Sequence, residues 1–401
     1  MFRWIIDSIY NRTYGWLERR FAISRVLYRL LRDPVPERGS WFYTLGAAIF
    51  VLLIVQVVTG IFLLFYYKPS FDQARDSVLY IQNQVFLGWL VRGIHYWNMV
   101  ALVALVGVHM TRTFLSAAYK APRELIWVLG TFLLLLMVGT AFTGGILRWD
   151  QAGYFDVVVG VKIASWTPVI GPWLADLWRG GDVIGPNTLT RSFSLHVWLL
   201  PAALLLVATT HIALVVILGQ FGSWVNYEPE RPDAPPPTED QIASHKKLEE
   251  EVLNPRSRKV NLPTRTTWFF PQHLFKEAVV SLGFLLLLLI PVFLIPVPVE
   301  EPPDPATVTY GPTSMWFFLF LDQLFLLFPG AWLIPIGATI VEGIVFATLL
   351  LYPWLDRNPG IRPSQRIVSV FLYFVVIAAI FILATLAASR VFNYETINIP
   401  R

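Results

Sequence analysis

The chain has 401 residues, 55% of them hydrophobic and 14% charged, a formal net charge of +4 and no cysteine. A soluble globular domain carries roughly a quarter charged residues, so this composition argues against an ordinary soluble protein, and the small positive balance gives no reason to expect a nucleic-acid partner. The missing cysteine excludes disulfides, thiolate metal sites, iron–sulfur ligation and thioether-linked cofactors on this chain. Any redox role must rest on histidine or on diffusible cofactors.

The first 41 residues are basic and amphipathic, as in "LERRFAISRVLYRLLRD". They lack a long apolar core and a small-residue cleavage site, so a helix lying on the membrane surface is expected and a secretory leader is not. Seven apolar runs follow, at 42–67, 89–115, 124–146, 192–219, 276–297, 331–355 and 366–389. Each is long enough to cross a bilayer core, which takes about 20 helical residues. The fold class expected is all-α: a polytopic membrane protein with a four-helix bundle (42–220) and three C-terminal helices (276–401). Between them, residues 221–275 are polar, Pro-rich and charged, as in "NYEPERPDAPPPTEDQIASHKKLEEEVLNPRSRK", and read as an exposed linker. The 147–191 connection is too long for a simple loop, and "PVIGPWLADLWRGG" suggests short amphipathic helices on the membrane surface.

Lys and Arg gather before the first span and in the second–third, fourth–fifth and sixth–seventh connections. With seven spans these four regions share one side, which the positive-inside rule makes cytoplasmic. The expectation is therefore a multi-pass protein of the cell (inner) membrane with a cytoplasmic N-terminus.

Two spans carry histidine pairs: His95 and His109 in the second, His196 and His211 in the fourth. Fourteen helical residues bring His95 and His109 to within about 40° of one direction, some 21 Å apart along the axis. The fifteen-residue gap between His196 and His211 leaves about 60°, which a twist or local bulge could absorb. The second and fourth spans run the same way, so His95 shares a depth with His196, and His109 with His211. Facing imidazoles suit the two axial ligands of a b-type heme. Zinc fits less well, because each level offers two nitrogens where a closed zinc site takes four ligands. A lone intramembrane histidine is often only a hydrogen-bonding group; two depth-matched pairs argue against that here. His245 and His273 are expected to face water or headgroups.

Glycine provides an independent sign. Gly46 and Gly60 in the first span, and Gly130 and Gly144 in the third, are also fourteen apart. They would give a flat macrocycle two faces without side chains. Arg92, Arg112, Arg123 and Arg191 flank the histidines and could meet heme propionates, although arginine at span ends is ordinary.

Together these residues resemble cytochrome b of the Rieske/cytochrome b (bc1/b6f) quinol oxidoreductases. The likeness covers essentially the whole chain through "FYYKPS", "GWLVRGIHYW", "KAPREL", "RWDQAGYFDV", "RGGDVIGPNTLTRSFSLHVWLLP" and "PPDPATVTYGP". The histidine spacing and span count are closest to the b6f branch, with cytochrome b6 and subunit IV fused in one chain. The resemblance implies two hemes b, His95/His196 near the outer face and His109/His211 near the cytoplasmic face. It further implies quinone as substrate, a Rieske iron–sulfur protein and a c-type cytochrome as partners, membrane lipids around the spans, and a homodimer within a larger complex. In the family, quinol is oxidised at the outer face, one electron passing to the Rieske protein and the other down the hemes, coupled to proton translocation.

Three motifs depart from the family pattern. Its outer Pro-Glu-Trp-Tyr motif is here Ser314, Met315, Trp316 and Phe317, so Trp316 remains while the proton-accepting glutamate does not. Its Gly-Tyr-x-Leu-Pro-Trp-Asp-Gln is here "GGILRWDQ", with Gly145 for the tyrosine and Arg148 for the proline. Thr44 stands where the b6f branch has a heme-attaching cysteine. Asp150, Asp156 or Asp322 could replace the missing glutamate, and Arg148 could stabilise an anionic quinone or a propionate. The competing expectation is a diheme cytochrome b without bifurcation, which shuttles electrons between a redox partner and the quinone pool. A secondary transporter is disfavoured by the lack of broken helices and inverted repeats. A heme-bearing membrane anchor without a working quinone site would be told apart by quinone-dependent heme reduction.

Overall fold

The computed structural model describes residues 34–36, 40–218, 266–307, 315–328, 333 and 335–397. The first 33 residues, most of the 221–275 linker with His245, and residues 308–314 with Ser314 lie outside this set, and the expectations placed on them with it. The described fold is all-α apart from one three-residue ladder. Twelve α-helices are used below, in chain order: α1 (Leu45–Leu64), α2 (Ala74–Asn83), α3 (Gly88–Leu115), α4 (Glu124–Ile146), α5 (Gln151–Ser165), α6 (Gly171–Arg179), α7 (Pro186–Ser194), α8 (Leu200–Leu218), α9 (Leu274–Leu294), α10 (Leu319–Leu326), α11 (Glu342–Leu355) and α12 (Ile367–Ile397).

Six helical runs are long and apolar enough to span a membrane: Trp41–Leu64, Gly88–Leu115, Glu124–Ile146, Pro186–Leu218, Phe269–Leu294 and Ile367–Ser389. They match six of the seven expected spans. The remaining one, 331–355, is described as a shorter apolar helix, Thr339–Leu355. It opens with a π turn, Ile336–Val341, ahead of α11. Large apolar side chains cover the outside of these helices, among them Leu206 at 70% and Val368 at 71% exposure. That inverts a soluble protein's pattern and fits lipid contact. The protein is an integral multi-pass membrane protein.

The chain divides into two compact units. One comprises Met1–Leu45 and Val216–Val280. In it β1 (Pro34–Pro36) pairs antiparallel with β2 (Thr266–Trp268), with Val35 opposite Thr267. His273, expected to face water or headgroups, is fully buried there. Its Nε2 lies 3.4 Å from Glu277 one turn on, and Phe269 packs on its ring.

The other unit comprises Gly46–Val215 and Ser281–Arg401. Its four-helix bundle is α1, α3, α4 and α8. Asn98, fully buried on α3, donates from Nδ2 to the Leu52 carbonyl and to Gln56 Oε1 on α1, each at 2.8 Å. In hydrocarbon such paired amides hold helices in register. The 147–191 connection forms the amphipathic helices α5, α6 and α7, which close over a core of Ile146, Trp149, Val157, Val161, Ala175 and Leu189. The C-terminal helices dock on this bundle: Trp127 Nε1 donates to the Leu349 carbonyl at 2.7 Å. Arg366, 1% exposed, bonds the carbonyls at the end of α3.

Candidate functional site

α3 and the π turn Leu195–Leu199 that leads into α8 bring His95 and His196 together, with ring centres 6.3 Å apart and planes at 78°. His95 Nδ1 lies 2.9 Å from Thr59 Oγ1. That hydroxyl donates to the Val55 carbonyl at 2.7 Å, so its lone pair is free to accept from His95 Nδ1–H. His196 Nδ1–H donates to the Thr140 carbonyl at 2.9 Å, with Thr143 Oγ1 at 3.4 Å. These partners fix the tautomer of both rings and leave each Nε2 lone pair for the space between them.

The helix run Pro186–Leu218 solves its fifteen-residue problem locally. Residues Leu195–Leu199 form a π turn that contains His196. A π turn accommodates one extra residue, so fifteen residues behave rotationally as fourteen, and α8 matches the histidine offset of α3.

Each of the four glycines backs one imidazole. A Cβ on Gly60 would stand 3.2 Å from His95 Cε1, and one on Gly144 2.5 Å from His196 Cε1. On Gly46 it would meet His109 Cε1 at 3.5 Å, and on Gly130 His211 Cε1 at 3.4 Å. The glycines were expected to clear space for a macrocycle. Their immediate neighbours are the histidine rings, which α1 and α4 approach closely because no side chain intervenes.

His109 and His211 form the second level, as electrostatic neighbours across the bundle. Their Nδ1 environment is barer. His109 Nδ1 is buried without a hydrogen-bond partner among the described residues, and His211 lies beside the Ile126 carbonyl. Sequence reading missed the threonines that distinguish the levels. The sign was there: Thr59 precedes Gly60 and Thr143 precedes Gly144, whereas Leu45 and Leu129 precede Gly46 and Gly130.

A cavity of about 610 Å³ begins between His95 and His196 and continues to the loops at that end of the bundle. Its inner part is lined by Leu53, Leu102, Gly60 and Gly144; its far part by Gly145, Arg148, Asp156, Glu300, Met315 and Trp316. A concave, mostly apolar chamber with a few convergent polar groups is the usual form of a small-molecule site. Arg148 lies along its wall, donating from Nε to the Gly145 carbonyl at 3.3 Å and pairing with Asp150 at 3.5 Å.

The other candidates take varied positions. Trp316 lines the cavity, whereas Asp322, in the first turn of α10, does not. Asp150 is fully buried and structurally engaged. Its Oδ1 accepts from Gly153 N, capping α5, and its Oδ2 from Glu300 N, both at 2.9 Å. Arg92 lines the cavity but spends its guanidinium on Gln82 Oε1 and the carbonyls of Val297 and Pro298, at 2.7, 3.0 and 2.9 Å. Arg191 bonds the Asp176 and Leu177 carbonyls at the end of α6, where the helix dipole favours a cation. Arg123 is buried at the start of α4, and Arg112 lies half-buried in the last turn of α3.

Residues 30–219 match the family model described as cytochrome b/b6/petB. The cytochrome bc complex cytochrome b subunit of Chlorobaculum thiosulfatiphilum is 33% identical over 376 residues, covering 91% of this chain and 78% of that protein. The menaquinol:cytochrome c reductase cytochrome b subunit of Bacillus subtilis (strain 168) is 37% identical over 213 residues, 51% of this chain and 95% of that one. Among solved structures, a chain of a hyperthermophilic respiratory Complex III superposes with a TM-score of 0.75 at 25% identity, covering 93% of this chain and 91% of its own. The first relative and the structure cover about nine-tenths of this chain, the second about half of it. The chain therefore belongs to the cytochrome b/b6 family, the heme-binding membrane subunits of bc- and b6f-type quinol oxidoreductase complexes.

Proposed function

We propose that this chain is the diheme b-type subunit of a quinol:electron-acceptor oxidoreductase, with His95/His196 near the outer face and His109/His211 near the cytoplasmic face. The observation that carries the reading is the outer pair and its cavity. The His95 and His196 ring centres are 6.3 Å apart beside an apolar cavity, and the two imidazoles would hold a heme iron between them. When bound, each heme supplies a one-electron redox centre.

The chain's residues do the rest. Thr59 and the Thr140 carbonyl orient the outer ligands and raise their basicity. The apolar bundle excludes water. Trp316 and Met315 wall a chamber continuous with the outer histidines, where quinol would bind. Arg148 gives that end a positive charge, and Arg112 and Arg123 do so at the cytoplasmic level. The basic connections favour a cytoplasmic N-terminus in the cell (inner) membrane. A Rieske iron–sulfur protein and a c-type cytochrome are the partners proposed, in a homodimeric complex that couples electron flow to proton translocation.

Met315, standing where the family carries a glutamate, favours a second reading: a one-way electron shuttle between a redox partner and the quinone pool. Oxidant-induced reduction separates the two. With quinol present and the cytoplasmic-side quinone site blocked, an added oxidant should increase heme b absorption. A sample with both hemes and a competent acceptor that shows no increase would support the shuttle. The ligand assignment has its own check. His109→Ala should remove one heme per chain and leave the other, and two retained hemes would refute it.

A further inference from the structure

Quinol oxidation at the outer chamber needs a base, because each quinol that becomes a quinone loses two protons with its two electrons. The chamber offers few. Trp316 and Met315 accept no proton. Tyr67 donates its hydroxyl hydrogen to the Leu147 carbonyl at 2.9 Å. Arg92 and Arg148 are cations, and the Nδ1 atoms of His95 and His196 are engaged by α1 and α4. The lining carboxylates are Asp156 and Glu300. Glu300 is exposed at the rim. Asp156 is half-buried on α5 and makes no hydrogen bond among the described residues.

The geometry around Gly145 decides why Asp156 reaches the chamber. A side chain on Gly145 would collide with Met315 Cε, and its Cβ would stand 3.8 Å from Asp156 Oδ2. The bare glycine and the apolar methionine thus border an open carboxylate on the surface helix α5. We propose that Asp156 is the proton-accepting catalytic residue of this chamber.

This inference rests on quinol oxidation at the outer site. In the step, a quinol O–H bond breaks and its proton passes to a carboxylate oxygen of Asp156. The two electrons would leave singly, through the one-electron centre that His95 and His196 would hold and to an external iron–sulfur acceptor. Asp156 unloads to water past exposed Glu300 before taking the second proton. The groups that face it set its affinity. Burial pushes its pKa up to about 7; the Arg148 guanidinium opposes the rise, and Asp150, Asp322 and Glu300 add to it. A base poised near neutrality combines a useful ionised fraction with useful proton affinity.

The test uses the purified complex with both hemes present. Asp156→Asn should slow oxidant-induced heme b reduction about 100-fold, within the range that general-base loss produces, and Asp156→Glu should recover most of it. The wild-type rate should rise as pH increases through about 7, and the Asn variant should lack that rise. Infrared spectroscopy adds a readout independent of turnover: a protonated carboxyl band that disappears above neutral pH and is missing in Asp156→Asn. An Asn variant with wild-type rate, pH profile and carboxyl band would overturn the assignment alone. A wild-type complex that gives no oxidant-induced reduction would overturn outer-site oxidation, and the assignment with it.

Discussion

At the residue scale, the four glycines make a graded prediction. A methyl group at Gly144 would stand 2.5 Å from the His196 ring, whereas one at Gly46 would be in ordinary contact, 3.5 Å from His109. Gly144→Ala should therefore displace His196 and lower heme occupancy at that level, while Gly46→Ala should retain both hemes. Heme-to-protein stoichiometry by pyridine hemochrome reads both. Glycine pairs at intervals of fourteen, and histidine pairs at fourteen and fifteen, were legible in the sequence because helical periodicity maps spacing directly onto direction. The partners of Arg92 were not. Besides Gln82, they are the carbonyls of Val297 and Pro298, more than 200 residues away, and a carbonyl acceptor leaves no mark on the side-chain alphabet. The same holds for Asp150, whose role as cap and Glu300 anchor separates it from Asp156, six residues on and open to the chamber.

At the element scale, the π turn at Leu195–Leu199 reconciles a fifteen-residue interval with a fourteen-residue partner. Deleting Val197 should convert it to an α turn and keep both histidines facing inward, with two hemes bound. Deleting Val207, in the regular part of α8, should swing His211 by about 100° relative to His196 and cost one heme. Optical quantitation of b-type heme separates these outcomes. A bulge was expected as one of two ways to absorb the offset, but its location was not readable. Spacing requires that one residue be absorbed between His196 and His211 but does not say where.

The connections at the His109 end form a second well-defined element. Arg366 Nη1 donates to Tyr119 Oη at 2.6 Å, and its Nη2 to the carbonyls of Phe114 and Leu115 at 3.1 and 3.0 Å. Tyr119 in turn donates to Asp356, which Lys120 approaches at 3.1 Å. Phe114, Tyr119, Trp127, Tyr352 and Tyr373 enclose this group. Arg366→Met would leave Tyr119 Oη and the terminal carbonyls of α3 without their donor, while Asp356 keeps Tyr119 and Lys120. Leaving a buried acceptor unpaired costs about 1–3 kcal/mol, so a lower thermal-inactivation temperature in detergent is expected, with heme spectra unchanged at low temperature. From the sequence, Arg366 was only one of the basic residues that orient the sixth–seventh connection.

At the scale of the whole molecule, apolar blocks, basic connections and two histidine-bearing helices were sufficient to read an all-α membrane cytochrome from composition and spacing. These features are local: a bilayer imposes one length on every span, and a helix imposes one period on every ligand pair. Contacts between distant segments decided the rest. Tertiary structure set the 6.3 Å approach of His95 and His196, the docking of the C-terminal helices through Trp127 and Arg366, and the shape of the chamber. It also decided which carboxylate is bound up as a cap and which is open to a substrate. The physical reason is that burial and hydrogen-bond occupancy are properties of a packed environment. Asp150 and Asp156 are the same residue type on the same segment, and only the chain folded around them makes one a structural anchor and the other a base poised near neutral pH.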